Sequence, residues 1–209
     1  MIVLGLDTCL NACSVAVLEG ETVLAYRSEA MARGHQERLA LLAQSVMAEA
    51  GLAFDGLDRI AATVGPGSFT GLRVGVAFAK GLASALAIPA VGVGTLEALA
   101  AETTGLVATV IDARRDQVYL QVFEDGQALM APDGLGIGTA LARIAELAMG
   151  RDVTLIGSGA SLLALALPDA SVLTPEGCDA RQVARLASGR AETPIRPLYL
   201  RAPDAKLPA

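Results

Sequence analysis

Residues 60 to 86 hold the feature that most limits how this chain can fold. Ile60-Ala61-Ala62-Thr63-Val64 alternates as a strand does, Gly65-Pro66-Gly67 turns the chain, and the spacing predicts a helix from Thr70 to Leu86. The corner therefore lies at the carboxyl end of a sheet strand, where open α/β folds gather their ligands. After Thr70 the helix has only Arg73, Lys80 and Ser84 as polar side chains, on one narrow stripe. A helix apolar almost all round is covered on more than one side. Gly71, Gly75 and Ala79, at four-residue steps, would let another backbone come close. The chain's own sheet accounts for one cover; the expectation for the other is a partner. A membrane span is rejected, because the run is short for one and carries Arg73 and Lys80.

The 209 residues are 53% hydrophobic with no Trp, so the core must be packed from small aliphatic side chains. A net charge of −6 argues against the chain gripping a nucleic-acid backbone by itself, since that affinity comes from Lys and Arg displacing counterions. Met1 leads straight into a strand, with no charged-then-apolar leader and no lipidation signature, so the expected location is the cytoplasm. Cys9, Cys13 and Cys178 are an odd number without C-x-x-C spacing, which reads as buried reduced thiols and not as a disulfide framework or zinc site.

In order, strands are expected at Ile2–Asp7, Ala12–Glu19 and Thr22–Glu29, the last two joined by a Gly20-Glu21 hairpin turn. A helix follows from His35 to Ala50, with Leu39, Leu42, Ala43, Val46 and Met47 on one face and Gly51 as its stop. After the glycine corner and its helix comes a strand at Ala90–Val93. This is the order of a ribonuclease-H-like half, and it then starts again. Strands at 106–112, 117–124 and 127–131 precede a helix at 139–149, a strand at 153–156, Gly157-Ser158-Gly159 and a helix at 160–167. Asp7 thus matches Asp112, and the Gly65 corner matches Gly157 to Gly159. The expectation is an α/β chain of two ribonuclease-H-like halves facing across a cleft, as in the actin, sugar kinase and heat-shock ATPase superfamily. Residues 1–104 would form the first half, 105–190 a smaller second half, and 191–209 an extended tail with Pro194, Pro197 and Pro203 that packs Ile195, Leu198, Tyr199 and Leu200 back on the body.

The glycine corner lacks the G-K-[ST] of a phosphate loop, and Gly65-x-Gly67-x-x-x-Gly71 is one residue too long for a dinucleotide fingerprint. Asp7 with Thr8, and Asp112 with Gly157 and Gly159, occupy the places where actin-like ATPases position magnesium and phosphate; weak ATP or ADP binding with magnesium is one expectation, a vestigial cleft the other. His35 is the only histidine, so no triad with a second base and no two-histidine metal site can be built. A two-metal nuclease would need about four clustered carboxylates, and the first half offers Asp7 and few others at strand ends. The residues therefore name no catalytic group and no metal ligand.

Gly65-Pro66-Gly67-Ser68-Phe69-Thr70-Gly71-Leu72-Arg73, with Leu6-Asp7-Thr8, Asp112-Ala113-Arg114, Val118-Tyr119 and Pro197-x-Tyr199-Leu200-Arg201, resembles the TsaB (formerly YeaZ) family over the full length. That resemblance implies a non-catalytic paralogue of TsaD, the metal-bearing enzyme that carries the threonylcarbamoyl group to an adenosine beside the tRNA anticodon. It implies a heterodimer with TsaD through the first two long helices, with Leu39, Leu42, Val46, Gly71, Leu72, Gly75, Phe78, Ala79 and Leu82 at the interface. A charge at Gly75 or Ala79 is then expected to abolish pairing and leave the monomer folded. It further implies a TsaE-type P-loop ATPase as a third member, tRNA contact only through the complex, and a homodimer when the chain is alone. His35 stands where TsaD has a metal-binding histidine pair, and Cys9 replaces the usual Ser after Asp7-Thr8, removing a hydroxyl from the candidate phosphate loop. The alternative is an ATP-binding or ATP-hydrolysing enzyme that uses the cleft.

Overall fold

A computed structural model describes residues 1–192 and 195–201. The first five strands, β1 (Ile2–Asp7), β2 (Ala12–Glu19), β3 (Thr22–Ala30), β4 (Arg59–Thr63) and β5 (Ala90–Val93), form one sheet in the order β3-β2-β1-β4-β5. β2 is antiparallel to β1 and β3, whereas β1, β4 and β5 run parallel. That change of direction needs crossovers, supplied by α1 (His35–Glu49) and α2 (Phe69–Leu86).

The second sheet repeats the plan. β6 (Leu106–Arg114), β7 (Gln117–Glu124), β8 (Gln127–Ala128), β10 (Thr154–Ile156) and β11 (Ser171–Leu173) lie in the order β11-β10-β6-β7-β8, with β9 (Asp133–Gly136) also pairing β7. α4 (Ile137–Ala148) and α5 (Ala160–Ala164) take the places of α1 and α2. The strand expected at 127–131 is only two residues long, and β9 continues its role beyond Pro132, which has no N–H to give a ladder. α5 ends at Ala164 and not at 167; single turns carry the chain on to Pro168, where Leu165 points into solvent.

Two further helices decide how the sheets meet. α3 (Thr95–Ala100) follows β5 but packs on β6 and β7, and α6 (Ala180–Ser188) follows β11 but packs on β1, β2, β4 and β5. Each half lends a helix to the other's sheet. Gly5 in the middle of β1 shows why the sequence is small there: a Cβ on it would stand 2.3 Å from the Ala180 carbonyl oxygen. The buried positions of α6 are Ala180, Gln182, Val183, Ala184 and Ala187, small enough to let the helix backbone sit close to the sheet. The core accordingly has three parts: one under α1 and α2, one under α4 and α5, and a shared layer where Val3, Val91, Leu96, Leu99, Phe123 and Val183 meet.

The tail crosses the end of the first sheet. Ile195 is buried in the core under α1 and α2, the Leu198 amide donates to the Val64 carbonyl at 2.7 Å, and Tyr199 lies 5.7 Å from the Phe69 ring, centroid to centroid. Pro194 and Pro203 lie outside the described residues. Among the described residues no helix is long and apolar enough to cross a membrane.

Candidate functional site

The glycine stripe of α2 serves the chain's own loop. Thr8, just after β1, donates its hydroxyl to the Gly71 carbonyl at 2.7 Å, and Ser68 donates its amide to the Cys9 carbonyl at 2.7 Å. A Cβ at Gly67 would come within 2.3 Å of the Cys9 oxygen, at Gly71 within 2.0 Å of the Thr8 oxygen, and at Gly75 within 2.5 Å of Thr8 Oγ1. The close backbone that the four-residue spacing calls for is the β1–β2 loop. Of the residues expected at the interface, Leu39, Leu42, Val46, Gly71, Leu72, Gly75 and Ala79 are buried within the chain, and Phe78 and Leu82 are half-buried. A charge at Gly75 or Ala79 would enter this chain's own interior.

Asp7 is likewise an internal tie. Its Oδ1 accepts from the Thr63 hydroxyl at 2.6 Å and the Cys9 amide at 3.0 Å, and its Oδ2 accepts from the Cys178 amide at 2.9 Å. The carboxylate thus pins the ends of β1 and β4 to the segment that leads into α6. Burial pushes its pKa up, against the three hydrogen bonds and the distant His35, which pull it down. It is fully buried and does not face the interlobe cleft, a hollow of about 700 Å³ bordered by Asn11, Ser68, Asp112, Arg114, Ser158 and Glu176.

On the other wall, Asp112 accepts from the Arg114 amide at 2.8 Å and pairs with the Arg114 guanidinium at 3.0 Å. The Gly157 and Gly159 amides are already bonded to the Leu173 and Val110 carbonyls, and a Cβ at either glycine would strike β6. These glycines are there for close packing against a strand, not as a cradle of free N–H groups. With Asp7 turned inward, Thr8 bonded to Gly71 and the second corner's amides consumed, these residues do not fit a magnesium-nucleotide clamp. His35 is buried, its Nε2 3.2 Å from the Ala12 carbonyl at the start of α1.

What α1 and α2 present outward differs from the expected set. Ala40, Leu41, Gln44, Ser45 and Ala48 on α1 and Ala77, Lys80, Gly81, Ser84 and Ala85 on α2 are exposed, with Leu41 at 54%. From Ala40 to Ala48 there is no charge, and from Val74 to Ala85 only Lys80. Sequence periodicity finds the buried stripe of a helix first; the outward residues, small apart from Leu41, Gln44 and Lys80, show no periodicity of their own.

Comparison with known proteins decides the family. The TsaD family model, tRNA N6-adenosine threonylcarbamoyltransferase, matches residues 27–151. An uncharacterized protein of Mycobacterium tuberculosis is 35% identical over 98% of this chain and 93% of its own length. The Bacillus subtilis protein named tRNA threonylcarbamoyladenosine biosynthesis protein TsaB is 35% identical over 62% of this chain and 58% of that protein. The solved structure of YeaZ from Pseudomonas aeruginosa matches with a TM-score of 0.78 at 29% identity, over 95% of this chain and 99% of that one. The chain belongs to the TsaB (YeaZ) family. Beyond TsaB, the ROK hexokinase of Thermus thermophilus shares the fold, with a TM-score of 0.51 at 18% identity. Both support the expected α/β fold with two similar halves. The segment matched in the named TsaB proteins covers little more than half of their length.

Proposed function

We propose that this chain acts in tRNA threonylcarbamoyladenosine formation as a non-catalytic subunit that binds and activates a TsaD-type transferase through the outward face of α1 and α2. The observation that carries this reading is the pair of uncharged stretches, Ala40–Ala48 and Val74–Ala85 with its single Lys80, side by side in a chain that is 18% charged. Adjacent helix surfaces poor in charge and made of small residues suit close helix packing against a second chain. A non-catalytic role is supported by the inward carboxylate of Asp7 and by the lone His35, bonded to a backbone carbonyl. A TsaE-type ATPase and tRNA join through the complex in this reading, and the same face pairs two copies when the transferase is missing.

The test is co-purification with the TsaD protein of the same organism, followed by mass measurement and a threonylcarbamoylation assay. Wild type should form a stable heterodimer, with modification only when both chains are present. Leu41→Glu and Ala77→Glu, at exposed positions, should each abolish pairing while the melting temperature of the isolated chain stays within a few degrees. Pairing that survives both changes would put the interface elsewhere.

A further inference from the structure

We propose that Lys80 is the contact by which the α1–α2 face selects its partner: the face takes a chain that sets an Asp or Glu carboxylate against the Lys80 ammonium, and it disfavours a second copy of itself. This rests on the pairing proposed above and adds what the partner must carry.

The sequence leaves this charge alone. α2 contains no Asp or Glu, and the residues three and four positions from Lys80 are Val76, Ala77, Ala83 and Ser84. The i,i+4 ion pair that commonly balances an exposed helical lysine is therefore missing. On the neighbouring α1, carboxylates stand only near the two ends: Glu37, which accepts from the Gln36 side chain at 3.0 Å, and Glu49, which pairs with Arg27 at 2.9 Å. Lys80 is the one lysine among the described residues; it is exposed and has no hydrogen bond or ion pair there. The chain balances its surface cations elsewhere, since Arg27, Arg38, Arg151, Arg185 and Arg190 each meet a carboxylate.

In water an unpaired ammonium is well solvated. Covered by a second chain it loses that hydration, and a charge taken out of water is destabilising unless an opposite charge meets it. The centres of interfaces shed charged residues for this reason. Around Lys80 the exposed neighbours are Ala77, Gly81, Ser84 and Ala85, too short to shield the charge, and none is anionic. The balancing carboxylate must then come from across the contact. The same account separates partners. Two copies joined through this face would bring two ammonium groups together with no carboxylate in the middle of either face, whereas a chain with one Asp or Glu at that place meets the charge. Specificity then comes as much from the penalty on self-pairing as from the gain with the partner.

The test measures both associations with the full chain, at low and high salt: self-association by sedimentation equilibrium, and binding to the TsaD protein of the same organism by calorimetry. Lys80→Gln should weaken the heterodimer about tenfold and flatten its salt dependence, while tightening self-association. Lys80→Arg should keep the heterodimer, because it keeps the charge. Lys80→Glu should abolish the heterodimer, and changing one Asp or Glu of the transferase to Lys should restore it. All three variants should melt with the wild type, since the side chain has no partner in this chain to lose. Damage to the helix face would weaken both associations; opposite shifts mark a charge that selects. If the wild-type heterodimer forms but ignores Lys80→Gln, if Lys80→Gln weakens both associations alike, or if no carboxylate reversal rescues Lys80→Glu, this proposal is overturned and the pairing itself stands. If the wild-type chain does not bind the transferase at all, the pairing reading fails and this proposal falls with it.

Discussion

Asp7 shows how a residue in a catalytic-looking position can be a structural one. Removing its carboxylate leaves the Thr63 hydroxyl and the Cys9 and Cys178 amides without their acceptor in the interior. A buried donor left unpaired costs about 1–3 kcal/mol, so Asp7→Ala should lose about 3–5 kcal/mol in urea unfolding, large for a single change. A loss under about 1 kcal/mol would mean that the tie is not needed. The pH dependence follows from the raised pKa. The folded chain holds this proton more tightly than the unfolded chain, whose Asp has the ordinary value of 3.8. Its contribution to stability is therefore full below that value and declines as pH rises through the raised one. Asp7→Asn should remove this declining component, read as a shallower change in urea midpoint between acidic and neutral pH.

The cysteines belong to the same neighbourhood. Burial, aided by the nearby Asp7 charge, pushes Cys9 and Cys13 up to about 12 and Cys178 well above its ordinary value. The thiolate is the reactive form, so a disulfide exchange reagent at pH 8 should label none of the three in the native chain and all three in denaturant. Fast labelling of even one thiol without denaturant would contradict the packing.

At the scale of elements, the glycine stripe of α2 carries the clearest test. Ala77 is exposed and Gly75 sits on Thr8 Oγ1, two residues apart on one helix. Gly75→Glu should unfold the monomer or strip several kcal/mol from it, by overpacking and burying a charge, whereas Ala77→Glu should leave its circular dichroism melt in place and act only on pairing. Equal melts for the two would show that the β1–β2 loop yields easily. The same stripe shows where reading a sequence stops. Spacing of Gly71, Gly75 and Ala79 says that a backbone comes near; it does not say whose. β1, β2, β5 and β7 were legible to the residue, because short apolar or alternating runs bounded by polar and turn residues mark the ends of a strand. α6 was not, although Asp179 caps it and Ala180, Val183, Ala184 and Ala187 recur at helical steps. Alanines give weak apolar contrast, and Arg181 and Arg185 make the segment look like a solvated face. β11, three exposed residues on a sheet edge, offers almost no pattern at all.

For the whole molecule, the exchange of α3 and α6 matters more than the count of halves. Val3, Ala16, Leu18, Ala61, Val91 and Val93 of the first sheet are buried in the shared layer, where α6 lies on this face. Residues 1–104 on their own lack α6 and would turn that face to water, and Gly5 would lose the helix it was left bare to receive. Residues 105–190 without β1 and α3 face the same loss, with Val107, Ile111 and Phe123 uncovered. Neither piece can bury its central layer alone, so the chain should unfold in one step. Calorimetry should give equal calorimetric and van't Hoff enthalpies, and the fragment 1–104 should be aggregated or expanded, with broad amide resonances. Two resolved transitions, or a well-dispersed spectrum from that fragment, would show that the halves are independent and that the exchanged helices merely join them.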